Sequence, residues 1–280
     1  MSSPETIDLF DEAPNCHYAA TVNDMSQTKV GVVGAGGRVG RAVCLAVELD
    51  HDLELVAAVD RSAAGQVRNG VTLTGDLRSL ADAGCDVVVD FTNADAARVT
   101  VPWLAMHGMH AVVGTTGLTD ADLEGFRTEF SGSNCVIVAN FSISAVLMMR
   151  FAELAAPYFD SAEIIEMHHE GKIDAPSGTA IATARRMAAA SGEWAADQTQ
   201  HEAYPGSRGG EGPGGIRLHS LRMRGAVAHQ EVILGAAGQT LTIRQDSYDS
   251  ASYVPGVILA CKHIADHRGV TLGLEAFLGM

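Results

Sequence analysis

Residues 29–40 read KVGVVGAGGRVG. The first half is a short run rich in valine, which predicts a buried strand, and from Arg38 onward the apolar residues take helical spacing. Glycines at the junction permit a tight turn and let the backbone approach a pyrophosphate, whose charge is held by the free N–H groups of the helix N-terminus. The spacing from Gly34 is G-x-x-G-x-x-G rather than G-x-G-x-x-G, because position 39 is valine. The stretch predicts a strand–turn–helix unit for a dinucleotide.

The same alternation continues to about residue 140. Four further apolar runs, LELVAAVD, DVVVDFT, HAVVG and NCVIVAN, are separated by stretches of helical spacing. Short continuous apolar runs between helices are typical of parallel strands that are covered on both faces. We therefore predict an α/β fold, with a doubly wound, Rossmann-like nucleotide-binding domain over residues 29–140. A last helix near SYVPGVILACKHIADH is expected to return to this domain, so that residues 251–280 belong to it.

After residue 140 the pattern changes. A long helix, the strand AEIIEMHH and a second helix precede a loop rich in Gly and Pro at residues 192–215. Three strand-like runs then follow in close succession, which indicates a partly antiparallel arrangement. Residues 141–250 are therefore predicted to form a smaller α+β domain with an open mixed sheet. Residues 1–28 show no clear period and are predicted to be a disordered extension, with translation able to start at Met25.

Composition excludes several classes of protein. The net charge is −15 and the pI about 5.0, which argues against nucleic-acid binding because that activity needs a basic face. The five cysteines form no C-x-x-C pair, so neither a disulfide framework nor a zinc site is expected. No apolar run approaches the roughly 18 residues of a membrane span, and the N-terminus lacks a signal peptide. These features predict a cytoplasmic protein with no membrane and no nucleic-acid partner.

An acidic and a basic residue end the second predicted strand. Asp60 stands twenty residues after Gly40, where a carboxylate accepts hydrogen bonds from an adenosine ribose. Arg61 follows it, and either Arg61 or Arg38 could pair with a 2′-phosphate. This predicts a site for NADH and NADPH, although a solvated strand end is the plain alternative. The small residues of Asp90–Thr92, Gly114–Gly117 and Ala139–Ser142 follow later strands and predict a nicotinamide pocket, unless they are ordinary turns.

Residues 166–180 read EMHHEGKIDAPSGTA. His168 and His169 end a strand, and histidine is suited to proton transfer near neutral pH. Lys172 adds positive charge, and Ser177 is predicted to cap a helix whose first N–H groups could bind a carboxylate. The alternatives are a capped helix after a polar loop, and a metal site. Adjacent histidines on a strand diverge and no other ligand lies at suitable spacing, so we predict no metal.

The order of these motifs closely resembles the dihydrodipicolinate reductase family, over about residues 29–275. The resemblance implies NAD(P)H-dependent reduction of 4-hydroxy-tetrahydrodipicolinate to tetrahydrodipicolinate in diaminopimelate and lysine biosynthesis, by a homotetramer. It implies that His168 is the proton donor and acceptor, that Lys172 is a second proton donor, and that the dicarboxylate substrate contacts His169, Lys172, Ser177, Gly178 and Thr179. The implied cofactor-binding residues are Gly34, Ala35, Gly36, Gly37, Arg38, Val39, Asp60, Arg61, Gly114, Thr115, Thr116, Val138, Ala139, Asn140 and Phe141.

Three residues depart from the family pattern. Many members have a basic residue or histidine where this chain has Glu170 and Gly171, and a histidine is common where it has Gln245. The departures leave the proton donors in place but alter the expected charge around the substrate. Two other functions remain open: an NAD(P)-dependent dehydrogenase that acts on an aldehyde or imine derived from an amino acid, and a nucleotide sensor without activity.

Overall fold

Two β-sheets organise the computed structural model, which describes residues 27–192 and 194–280. The predicted extension over residues 1–28, with its possible start at Met25, lies outside the described residues except for residues 27 and 28. No helix in the described part of the chain is long and apolar enough to span a membrane.

Strands largely alternate with helices through the first two thirds of the described chain, and strands predominate after that. The strands are β1 Thr28–Val33, β2 Leu53–Val59, β3 Val67–Arg68, β4 Val71–Thr74, β5 Val87–Asp90, β6 His110–Val113, β7 Cys135–Ile137, β8 Ser161–His168, β9 Gly210–Glu211, β10 Arg217–Arg222, β11 Ala228–Ala236, β12 Gln239–Ser247 and β13 Val270–Leu272. The helices are α1 Arg38–Leu49, α2 Arg78–Asp82, α3 Ala94–Met106, α4 Asp120–Glu129, α5 Ile143–Ala155, α6 Gly178–Ala190 and α7 Val254–His263.

The first sheet has eight strands in the order β13-β7-β6-β5-β1-β2-β4-β3. Its pairs are parallel apart from the β3–β4 hairpin. Every residue of β5 is buried, as expected for a central strand covered on both faces. The prediction of a doubly wound, Rossmann-like unit is confirmed. The sequence patterns missed β3, β4, α2 and β13, because these short elements are not marked by continuous apolar runs like those of β5, β6 and β7.

The second sheet is five-stranded and mixed, in the order β12-β11-β8-β10-β9. Strand β8 runs parallel to β10 and antiparallel to β11, so the predicted α+β character and mixed sheet are confirmed. Helices α5 and α6 cover one face, where Ile164, Val232 and Leu234 are fully buried. On the other face Ile165 and Ile233 are only half-buried. The sheet therefore has one closed and one open face.

The parallel strands bring the polar loops to one edge. Strands β1, β5, β6 and β7 all point their carboxyl ends in the same direction, because each pair is parallel. Helix α7 packs against α1, and a Cβ at Gly256 would overlap the carbonyl oxygen of Phe141. One apolar cluster includes residues of both sheets, from Val30 to Ile164. The loops of the first sheet and the end of β8 are thus held against a common core.

Candidate active site

The glycine turn fits closely against the end of β2. Gly34 has a φ of +81°, which favours glycine, and its carbonyl accepts a hydrogen bond from the Gly37 N–H at 3.0 Å. The Gly36 N–H donates to Oδ2 of Asp60 at 2.9 Å, and a Cβ at Gly36 would lie 2.7 Å from that oxygen. A Cβ at Gly40 would overlap the Gly34 carbonyl. Close packing therefore requires glycine at these positions.

A cavity of about 1020 Å³ opens beside this turn. It is lined by Gly34, Asp60 and Arg61 together with residues that follow β4 and β5. Burial opposes ionisation of Asp60, but hydrogen bonds from Ser62 and Gly36 lower its pKa below the usual 3.8. An ionised carboxylate at the end of β2 fits the ribose of a dinucleotide, and the adjacent glycine turn lets the backbone come close to its pyrophosphate.

Two of the three predicted pocket loops are tied together by a buried acid. Oδ1 of Asp90 accepts hydrogen bonds from the Thr92 N–H at 2.9 Å, the Thr92 hydroxyl at 2.6 Å and the Thr115 hydroxyl at 2.9 Å. Its side chain is fully buried, which raises its pKa above the usual 3.8 despite these bonds. The rings of Phe91 and Phe141 pack with centroids 5.6 Å apart, which joins the third loop.

A second cleft, of about 780 Å³, brings the two sequence motifs together. Its lining combines residues predicted to bind cofactor with residues predicted to bind the substrate or to transfer its proton. They are Arg38, Thr116, Ala139 and Asn140 from the first group, and His168, His169, Lys172, Ser177, Gly178 and Thr179 from the second. Arg38 lines this cleft, whereas Asp60 and Arg61 line the other cavity. Ala35, Thr115, Val138 and Phe141 are buried, so they support the loops rather than line either cavity.

His168 bonds a buried carboxylate that is itself paired with an arginine, and the sequence did not reveal either partner. Its Nδ1 lies 2.5 Å from Oε2 of Glu166, whose side chain is fully buried. Arg222 donates to both oxygens of Glu166 at 2.9 Å. Burial acts to raise the pKa of Glu166, but the bonds from His168 and Arg222 lower it to about 2. An acidic residue two positions before His168, on the same face of a strand, was the signal available in the sequence.

Lys172 has an acidic partner in the same loop. Its Nζ lies 2.7 Å from Oδ1 of Asp174, and the pKa of Asp174 is lowered by this contact. Glu170, one of the departures from the family pattern, bonds Arg224 at 2.7 Å on the exposed surface. The extra negative charge at position 170 is therefore paired with an arginine outside the cleft.

The start of α6 is built as the sequence predicts. The Ser177 hydroxyl caps the helix by accepting the Ala180 N–H at 3.2 Å. The Ser177 N–H donates to Oε1 of Glu166 at 3.2 Å. The N–H groups of Gly178 and Thr179 lie in the first turn of α6, where no carbonyl of the helix is available to accept them. These two groups at the positive end of the helix can bind a carboxylate.

His168 and Thr179 also line a small polar cavity of about 50 Å³. Gln245 lines it and donates to the Ser247 hydroxyl at 2.6 Å. Gln230 also lines it and donates to the Thr183 hydroxyl at 2.8 Å, which in turn donates to the Thr179 carbonyl. In the described residues, no group of three or more His, Cys, Asp and Glu side chains could hold a metal ion.

Known proteins that match most of this chain in sequence carry the same enzyme name. The family model described as dihydrodipicolinate reductase, N-terminus, matches residues 28–141, and the one described as dihydrodipicolinate reductase, C-terminus, matches residues 144–278. Proteins named 4-hydroxy-tetrahydrodipicolinate reductase are 46% identical in Corynebacterium urealyticum and 48% identical in Corynebacterium diphtheriae. The matches cover 90% and 89% of this chain, and 99% and 98% of those proteins, respectively.

A solved structure resembles the whole fold. It is a dipicolinate-bound dihydrodipicolinate reductase from Paenisporosarcina sp. TG-14, with a TM-score of 0.82, 33% identity, and coverage of 89% of this chain and 99% of that one. A probable dehydrogenase from Thermotoga maritima, at 12% identity and a TM-score of 0.59, shares only the fold, with coverage of 89% of this chain and 92% of that one.

Proposed function

The chain belongs to the dihydrodipicolinate reductase family, and from that premise we propose that it reduces 4-hydroxy-tetrahydrodipicolinate to tetrahydrodipicolinate in diaminopimelate and lysine biosynthesis. The observation that carries the proposal is the cleft of about 780 Å³, in which a histidine, a lysine and a helix N-terminus lie beside residues of the glycine-turn domain. A dicarboxylate needs positive charge at both ends, and a reductase needs a proton donor near the transferred hydride.

A nicotinamide cofactor supplies the hydride when it is bound. The glycine turn, the α1 N-terminus and Asp60 would hold its pyrophosphate and adenosine ribose. Arg61 beside Asp60 supports use of NADPH as well as NADH, because a guanidinium can pair with a 2′-phosphate. Thr116 and Asn140 extend from the same domain into the second cleft, so they would orient the nicotinamide end.

His168 and Lys172 provide the proton chemistry of the substrate. After the substrate has lost water, the hydride adds to it, and His168, which lines the cleft, gives the proton. Lys172 meets one carboxylate and acts as the second proton donor. The N–H groups of Gly178 and Thr179 meet the other carboxylate at the start of α6. His169 is exposed in the same cleft, where it would contact the dicarboxylate.

Each of the two sheets belongs to a domain with its own proposed role. Residues 29–140 with 251–280 bind the dinucleotide, and residues 141–250 bind substrate and form a homotetramer. The open face of the second sheet supports an assembly, because Leu221 is 40% exposed there and Ile165 and Ile233 are only half-buried. Sedimentation of the wild-type protein and of Leu221→Glu tests this, since the variant should dissociate. A cytoplasmic location is supported by the four described cysteines, which are all free.

One coupled assay tests the reaction. The substrate is made from pyruvate and aspartate semialdehyde by the synthase that precedes this step, and the loss of absorbance is followed with NADH and with NADPH in separate reactions. We expect oxidation of at least one cofactor that depends on both the synthase and this protein. Omission of pyruvate is the control that separates imine reduction from direct reduction of the aldehyde. No oxidation with either cofactor would remove the proposed function.

A further inference from the structure

One buried carboxylate joins three parts of the candidate site. Oε2 of Glu166 accepts from Nδ1 of His168 at 2.5 Å, and Oε1 accepts from the Ser177 N–H at 3.2 Å. Arg222 spans both oxygens and also donates to the Asp174 carbonyl at 2.6 Å. The proton donor, the start of α6 and the loop that carries Lys172 are therefore fixed through the side chains of Glu166 and Arg222.

The charge state of Glu166 decides which nitrogen of His168 carries hydrogen. A carboxylate paired bidentately with a guanidinium stays ionised, and an ionised carboxylate can only accept hydrogen bonds. Nδ1 of His168 must then carry a hydrogen whether the ring is neutral or positively charged. The second nitrogen, Nε2, is the one left to gain and lose a proton.

We propose that Glu166 and Arg222 are positioning residues that hold His168 with its hydrogen on Nδ1, so that Nε2 exchanges the proton with the substrate. This rests on the proposed reductase function, in which His168 is the proton donor. Arg222 acts through Glu166, because it neutralises the buried carboxylate and keeps its two oxygens directed at the ring and at the start of α6. Neither residue lines the cleft in which the substrate is proposed to bind.

The chain contains a matched control on the same strand. Glu163 of β8 also bonds a histidine and an arginine, with Nε2 of His219 and Nη2 of Arg208 each 2.7 Å from its carboxylate. Neither Glu163 nor His219 lines the cleft that holds His168. Glu163→Gln therefore removes the same chemical group from a similar triad, without a contact to the candidate site.

The first test is the tautomer of His168 in the wild-type protein. Nitrogen-15 spectra of histidine-labelled protein, without substrate or cofactor, show which ring nitrogen carries hydrogen in the neutral form, and the signals are assigned by their loss in His168→Ala. We expect hydrogen on Nδ1, and hydrogen on Nε2 would overturn the proposal. The measurement does not use turnover, so it stands even if the coupled assay shows that the proposed reaction is wrong.

The second test compares Glu166→Gln with Glu163→Gln. A glutamine can present its amide N–H to Nδ1, so Glu166→Gln should move hydrogen to Nε2 and lower kcat by about 10–100-fold, with KM for NADPH unchanged. Glu163 lies on the open face of the second sheet with Ile165, so sedimentation is compared first; with unchanged assembly, Glu163→Gln should leave kcat and the His168 signals as in the wild type. Arg222→Lys keeps a charge beside Glu166 and should give an intermediate kcat. If Glu166→Gln does not fold, the His168 tautomer in the wild type and the kcat of Arg222→Lys test the proposal instead. If Glu166→Gln folds and both its kcat and its His168 tautomer are unchanged, the proposal is overturned.

Discussion

Nζ of Lys172 lies 2.7 Å from Oδ1 and 2.9 Å from Oδ2 of Asp174, so the proposed second proton donor is already paired within its own loop. The acid is 56% exposed and the lysine 21% exposed. An ion pair with an exposed partner contributes little to stability, because water screens the two charges. A substrate carboxylate can therefore replace Asp174 beside the lysine at small cost.

Removal of this competing carboxylate should strengthen substrate binding. We expect Asp174→Asn to lower KM for the dicarboxylate by at most about fivefold, which corresponds to the upper end of an exposed pair, with little change in kcat. The coupled assay measures both constants. Glu124→Gln, which removes the same charge from an exposed pair with Arg127 on α4, is the control. A higher KM in Asp174→Asn would show instead that Asp174 holds the lysine in its working position.

His168 and Lys172 should matter for turnover more than for binding of the cofactor. We expect His168→Ala and Lys172→Ala each to lower kcat by about 10²–10⁴-fold, the usual loss when a general acid is removed. His219→Ala, whose histidine bonds Glu163 outside the cleft, is the matched control and should keep the wild-type rate. Thermal unfolding of each variant checks that the fold is intact. Wild-type turnover in both active-site variants would exclude the proposed proton donors.

Arg61 should distinguish the two cofactors. It lines the cavity beside Asp60, so its guanidinium can reach a phosphate on the adenosine ribose. Because a hydrogen bond to a charged group contributes about 1.5–3 kcal/mol, Arg61→Ala should raise KM for NADPH by about 10–100-fold and leave that for NADH nearly unchanged. Arg127→Ala, on the surface of α4, controls for loss of charge. Equal effects on both cofactors would mean that Arg61 does not contact the 2′-phosphate.

The parts of the fold that follow from local pattern could be predicted from the sequence. The Gly34 turn joins β1 to α1 within a few residues, and a cap such as Ser177 bonds an N–H three residues ahead. Both depend on neighbours in the chain, so spacing and residue type were sufficient. The strands β3, β4 and β13 have two to four residues in which polar side chains interrupt the apolar ones, so they lack the continuous apolar run that marks the equally short β5 and β7.

The side-chain contacts that hold His168 and Lys172 in place could not be predicted from local pattern. Arg222 reaches Glu166 across 56 residues of sequence because β10 pairs in parallel with β8, with Arg222 opposite His168. In the sequence this arginine is one polar residue in an alternating strand. The ion pair of Lys172 with Asp174 depends on a loop conformation, and a charge two residues away does not by itself predict it.

Asp90 gives a last prediction, on stability and pH. Its side chain is fully buried, and burial raises its pKa in the folded protein above the usual 3.8. The folded state therefore binds a proton more tightly than the unfolded chain, so the contribution of Asp90 is fully present below the unfolded pKa and is lost as the pH rises through the folded pKa. Asparagine keeps an oxygen that can accept from Thr92 and Thr115 but cannot ionise.

We therefore expect the free energy of unfolding of Asp90→Asn, relative to the wild type, to increase as the pH is raised from about 4, and to level off once Asp90 is ionised in the folded protein. Urea unfolding at a series of pH values measures this difference. Asp122→Asn tests the opposite sign, because hydrogen bonds from Arg98 and Thr119 lower the pKa of Asp122, so its contribution is lost as the pH falls. A pH-independent difference for Asp90→Asn would show that Asp90 has the same proton affinity in both states.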